Sequence, residues 1–86
     1  MSMSTVFVLI NCWFGKDKDT IDEVKNLDLV KEVQGTFGAY DIIATLQSTN
    51  LDEIQDVIRC KIRRIDNVQS TLTLLGIDDQ SWKNSN

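Results

Sequence analysis

The sequence predicts a small α+β domain in which two helices pack on a four-stranded sheet. Short β-branched runs alternate with two segments of helical spacing, and turn residues separate them. The chain has 86 residues, of which 42% are hydrophobic and 26% charged, a composition typical of one globular domain. Because a single core in so short a chain gives little net stability, we also expect burial through oligomerisation.

The first half of the chain predicts a strand, a helix and two further strands. Residues 5–13 are rich in β-branched and aromatic side chains, which predicts the first strand. Residues 17–27 change to helical spacing and begin with acidic side chains, which favour a helix N-terminus. The second strand is predicted at residues 29–37 and the third at residues 40–47, with a short connection at Gly38–Ala39.

The second half predicts one helix and one strand. Asn50 is the expected N-cap, and Glu53 completes a capping-box pattern. An apolar stripe at helical spacing follows, formed by Leu51, Ile54, Val57, Ile58, Ile62 and Ile65. Residues 68–77 alternate again and predict the fourth strand. One face of that strand is expected to carry Val68, Ser70, Leu72 and Leu74. This order matches a ferredoxin-like βαββαβ sandwich, whose right-handed crossovers place both helices on one face.

The domain is predicted to occupy residues 5–77, between a short extension at residues 1–4 and a polar tail at residues 78–86. The chain begins without a basic segment, which argues against a secretion signal, and no apolar run is long enough to span a bilayer. Cys12 and Cys60 lie in apolar patterns without zinc-ligand spacing. Two such cysteines favour reduced residues and a cytoplasmic location.

Both faces of the predicted sheet are apolar, although the helices can cover just one of them. Soluble monomers avoid a contiguous exposed apolar patch of this kind. We therefore expect two copies to pack sheet against sheet. The expected interface residues are Phe7, Leu9, Trp13 and Ile43. An alternative is that Trp82 and the tail cover this face within one chain.

The composition favours binding over catalysis. The chain has 0 His, which removes the commonest general base and metal ligand, and no glycine-rich phosphate motif is present. We expect no catalytic residue, metal or other cofactor. The net charge of −4 argues against nucleic acid as a partner. The four cations between residues 59 and 64 favour a helix C-terminus over a nucleic-acid contact.

One turn and one strand face offer polar groups for a ligand. The segment at residues 38–41 combines a glycine with the only tyrosine and an aspartate, although a plain turn explains it equally. The last strand places two threonine hydroxyls on one face, a common feature of strands. The candidate residues are Gly38, Ala39, Tyr40, Asp41, Thr71 and Thr73.

Three segments resemble the effector-binding domain of the Lrp/AsnC family of feast/famine regulators. The first is the strand at residues 6–11 with Gly15–Lys16, and the second is the run at residues 33–44, similar to the family's central Gly-x-Tyr/Phe-Asp hairpin. The third is the run at residues 62–74, similar to the family's last helix and strand. Together they cover residues 5–77 in the family's order.

The resemblance implies a dimeric α+β barrel, often four dimers in a ring, with a small effector bound where dimers meet. The effector is typically an amino acid. Residues 38–41 correspond to the family's pocket motif, and Thr71 and Thr73 to hydroxyls of a neighbouring protomer. Asp41 or a nearby backbone group would hold the ligand's ammonium, and the threonines its polar end.

The family's regulators also carry a helix-turn-helix domain, whereas this chain begins four residues before its first predicted strand. We therefore expect a stand-alone effector domain without direct DNA contact, which senses an amino acid or co-assembles with full-length regulators. Two other interpretations stay open. One is an interaction protein that co-assembles with regulators and has no ligand of its own. The other is a small enzyme of the dimeric α+β barrel type.

Overall fold

The computed structural model describes residues 2–76, so the tail with Trp82 lies outside the described residues. The elements follow the order strand, helix, strand, strand, helix, strand, with a short 3₁₀ turn before the last strand. They are β1 (Ser4–Cys12), α1 (Asp17–Val24), β2 (Val30–Gly35), β3 (Ile42–Ser48), α2 (Leu51–Cys60), the 3₁₀ turn (Ile62–Arg64) and β4 (Val68–Leu75).

The four strands form one antiparallel sheet in the order β2-β3-β1-β4. Along β1 and β3, buried and half-buried side chains alternate, because the helices cover one face. The core lies between the helices and that face. Its most deeply buried side chains, at most 2% exposed, include Val6, Val8, Ile10, Ile42, Leu46, Val24, Ile54 and Ile62. The predicted ferredoxin-like α+β fold is confirmed.

Helix α1 is shorter than its apolar spacing predicts, since it ends at Val24 instead of continuing to residue 27. The side chain of Asn26 donates a hydrogen bond to the Asp22 carbonyl at 2.9 Å, which occupies an acceptor of the last turn. Leu29 then adopts a φ of 71°, in the left-handed region, and this turn redirects the chain into β2.

The N-terminus of α2 is capped through a three-residue relay. Asn50 accepts a hydrogen bond from the Asp52 amide at 2.9 Å, as the sequence predicts for an N-cap. Glu53 binds the Ser48 hydroxyl at 3.0 Å, and that hydroxyl accepts from the Asn50 amide at 3.0 Å. The carboxylate of the capping box therefore acts on the Asn50 amide through a buried hydroxyl that is donor and acceptor at once.

Replacing Ser48 with Ala is expected to lower the free energy of unfolding by about 1 kcal/mol, the typical cost of losing a cap. The Asn50 amide and the Glu53 carboxylate both lose their buried partner. Urea denaturation followed by circular dichroism measures the change. Thr49→Ala, an exposed position next in the chain, is the control and should stay close to wild type. Equal stability of the Ser48 variant and the control would rule out the relay.

A β-bulge displaces the start of β4 from simple alternation. Ser70 pairs with Asn11, but the next pair joins Val68 to Cys12, so Gln69 is the extra residue. The expectation that Val68 shares a face with Ser70, Leu72 and Leu74 is therefore wrong for Val68, which packs against the core. A period of two along one strand contains no sign of this extra residue.

Candidate functional site

The segment Gly-Ala-Tyr-Asp lies in the connection between β2 and β3, which spans residues 36–41. The Thr36 amide donates to the Asp41 carbonyl at 2.8 Å, and the Thr36 hydroxyl donates to the Tyr40 carbonyl at 2.8 Å. Gly38 has a φ of 126°, a conformation that side chains resist. The two-residue connection predicted from the sequence is wrong, because Thr36 closes a wider loop.

Asp41 is fixed at the end of β1 by its backbone and by its side chain. Its amide donates to the Ile10 carbonyl at 3.0 Å, and its Oδ2 accepts from the Cys12 amide at 3.0 Å. The Cys12 Sγ lies 3.7 Å from the same oxygen. Burial raises the pKa of the Cys12 thiol, and the negative charge of Asp41 raises it further, so the thiol stays protonated at neutral pH. Oδ1 of Asp41 has no hydrogen-bond donor among residues 2–76.

The Asp41 carboxylate borders a cleft of about 580 Å³ at this end of the sheet. Trp13 and Phe14 give the cleft an aromatic wall, and Asp17 adds a second carboxylate. Two carboxylates next to an indole favour a cationic group such as an ammonium. Trp13, expected in the sheet interface, lies beyond the last residue of β1 and lines this cleft.

Thr71 and Thr73 lie on the helix side of β4. They are the register partners of Ile10 and Val8, both core residues, and directly opposed residues of an antiparallel pair share a face. The two threonines border two neighbouring surface depressions, both of which also include Arg63. Each threonine therefore shares a depression with Arg63.

One copy of the chain does not bring the Asp41 cleft and both threonines together. Asp41 is bonded to Cys12, whereas Thr73 lies opposite Val8, four residues and about 13 Å back along β1. That separation exceeds the span between the ammonium and carboxylate groups of an α-amino acid. Gln69 borders both the Asp41 cleft and the depression that Thr71 lines, so these two surfaces adjoin each other at Gln69.

The sheet face opposite the helices carries a contiguous apolar patch, here called the open-face patch. Phe7 lies opposite Leu74, and Leu9 lies between Leu72 and Ile43 in the register. Leu72 is 44% exposed and Leu74 is 47% exposed. The structure thus brings together three of the four residues expected at a sheet interface, and β4 widens the patch by two leucines.

Sequence reasoning missed Arg63, Gln69 and the two patch leucines as site residues. The alternation of β4 already groups Leu72 and Leu74 on one face, which is the signal that could have found them. The sequence assigns Arg63 to a basic helix end, and its position over β4 depends on the 3₁₀ turn. Gln69 reaches the cleft through the bulge, which has no sequence signal of its own.

Within the part of the chain that the structure describes, no three metal-binding side chains converge, and every buried polar side-chain atom has a hydrogen-bond partner. Neither α-helix of residues 2–76 is long and apolar enough to cross a membrane.

Residues 5–79 match the ligand-binding domain of a group of transcription regulators. The matching family is the Lrp/AsnC ligand binding domain, and the chain belongs to this family. The match confirms the resemblance carried by the three sequence segments. It also identifies the domain as a regulatory ligand-binding domain. No curated protein matches the chain significantly in sequence.

Solved structures agree with this assignment. The chain resembles a protein of Thermus thermophilus at a TM-score of 0.83 and 28% identity, over 93% of this chain and 98% of that one. It resembles AsnC of E. coli at a TM-score of 0.81 and 27% identity. That match covers 93% of this chain and 54% of AsnC, so the chain spans about half of AsnC. A transcriptional regulator of Neisseria meningitidis in complex with L-Met shares the fold alone, at a TM-score of 0.78 and 14% identity, over 95% of this chain and 55% of that one.

Proposed function

We propose that this domain is an amino-acid-sensing regulatory module, which binds its effector between copies of the chain and performs no catalysis. The observation that carries the proposal is the Asp41 cleft. Asp41 is held by the Ile10 carbonyl and the Cys12 amide, and it lines the same cleft as Trp13. A fixed carboxylate next to an aromatic face suits the ammonium group of an amino acid.

The separation of the candidate residues supports a site shared between copies. Because about 13 Å of β1 separates the residues beside Asp41 and Thr73, one small ligand cannot reach both groups of one chain, so a site that contains both needs a second copy. This agrees with the family's arrangement, in which a neighbouring protomer supplies the strand hydroxyls. In this proposal Asp41 holds the ammonium, while Thr71 and Thr73 hold the polar end.

The open-face patch supports a homodimer that pairs sheet to sheet, and such dimers can associate further into rings. Phe7, Leu9, Ile43, Leu72 and Leu74 offer the apolar core that stable interfaces require. We propose that the same face also pairs with the ligand-binding domain of longer regulators, because this chain has the fold of about half of one such regulator, AsnC. Co-assembly with full-length Lrp/AsnC regulators in the cytoplasm is therefore part of the proposal.

A thermal-shift titration of the intact chain with each standard amino acid tests the proposal. A ligand that binds the native state raises the temperature of the unfolding midpoint as its concentration increases. At a ligand concentration of a hundred times Kd, the added free energy of unfolding is about 2.7 kcal/mol. We expect at least one amino acid to do so. If none does while sedimentation shows an intact oligomer, the domain is an assembly module without a ligand of its own.

A further inference from the structure

A second group of polar side chains gathers around Arg63, outside the Asp41 cleft. The 3₁₀ turn that carries Arg63 is fixed by Ile62, which is 0% exposed. Arg63 consequently borders two depressions of about 330 and 290 Å³, one with Thr73 and the other with Thr71. The two depressions together are called the Arg63 groove.

The Arg63 groove is cationic although the chain has a net charge of −4. Arg59, one helical turn earlier, borders the same depression as Thr73, and no carboxylate lines either depression. The ion pairs among residues 2–76 are Lys25–Asp22 and Arg59–Asp56, so Arg63 has no carboxylate partner in that range. Asp56, the exposed partner of Arg59, and Glu53 border a different depression.

We propose that the Arg63 groove binds carboxylate groups, and that the effector is an acidic amino acid carrying two of them. This inference rests on the proposed function. A guanidinium fork and hydroxyl donors match the two oxygens of a carboxylate, and the pairing is charge-assisted. Arg63 offers one such cation, and Arg59, whose Nη2 is paired with the exposed Asp56, has further N–H donors for a second carboxylate. Thr71 and Thr73 border the same groove.

The charges of Asp41 and of the Arg63 groove together predict which class of amino acid binds most tightly. An acidic amino acid has one ammonium for Asp41 of a neighbouring copy and two carboxylates for the Arg63 groove. A neutral amino acid brings one carboxylate and so engages only one of the two guanidinium groups, and a basic one brings a second cation to a groove that no carboxylate of residues 2–76 lines.

Isothermal titration calorimetry on the intact chain tests this with L-glutamate, L-aspartate, L-leucine, L-lysine and inorganic phosphate. We expect an acidic amino acid to bind most tightly. Arg63→Gln should weaken it roughly 10- to 100-fold, the range for losing a charged hydrogen bond. Arg64→Gln is the matched control, because it removes the same charge from the same exposed turn but borders neither depression. Its affinity should equal that of wild type.

The outcomes also distinguish this inference from the proposed function. Tight binding of leucine or lysine that Arg63→Gln leaves unchanged overturns the acidic effector and keeps amino-acid sensing. Phosphate binding as tightly as the acidic amino acids shows a general oxyanion site and overturns the carboxylate assignment. Absence of binding by every amino acid, with an intact oligomer, overturns both.

Discussion

Replacing Leu72 with Asp is expected to dissociate the proposed sheet-to-sheet dimer into monomers, whereas Leu75→Asp is expected to leave it intact. Both leucines lie on β4 and are about half exposed, at 44% and 53%, so the substitutions disturb the single chain to a similar degree. Their register partners place them on opposite faces, since Leu72 lies opposite Leu9 and Leu75 opposite the core residue Val6. Leu72→Asp therefore buries an unpaired charge when two sheets meet, which is strongly unfavourable.

Sedimentation velocity at micromolar concentration measures this difference, with circular dichroism to show that both variants are folded. Wild type and Leu75→Asp should sediment as the same oligomer and Leu72→Asp as a monomer. A wild-type monomer, or equal dissociation of the two variants, would contradict a dimer formed through the open-face patch.

Replacing Asp41 with Asn is expected to abolish effector binding while preserving the fold. The asparagine oxygen can still accept from the Cys12 amide, so the loop keeps its anchor, but the negative charge that faces the cleft is gone. Asp41→Ala should lose the anchor as well and destabilise the chain by about 1–3 kcal/mol, the cost of an unsatisfied buried amide. Calorimetric titration and denaturant unfolding separate these two effects.

Asp19→Asn is the charge control for Asp41→Asn, because Asp19 is exposed in the first turn of α1 and lies outside the cleft lining. The control should bind the effector as wild type does. Unchanged affinity of Asp41→Asn would mean that the carboxylate serves the loop alone.

Local patterns accounted for most of the fold. The alternation of β1 and β3 separates the core face from the open face, and Asn50 begins α2 as its type predicts, because these features depend on neighbours in sequence. Family resemblance pointed to Asp41 and to the two threonines, whereas composition alone left each of them ambiguous.

The features that sequence patterns missed depend on particular side-chain hydrogen bonds and on strand register, which the spacing of apolar residues does not encode. Thr36 closes its loop on Tyr40 and Asp41, Ser48 links Asn50 to Glu53, and the bulge shifts Val68 to the core. Periodicity describes one element at a time, so it could not place Arg63 against β4 or show that one chain keeps Asp41 and Thr73 apart.

Mixing two defective variants tests most directly whether the effector site is shared between copies. Asp41→Asn and the double variant T71V/T73V should each fail to bind the effector, since each lacks one half of every site. After subunit exchange, random pairing should restore binding at about a quarter of the sites, measured as calorimetric stoichiometry. Verified exchange without any recovered binding would contradict a shared site, and so would unimpaired binding by either variant alone.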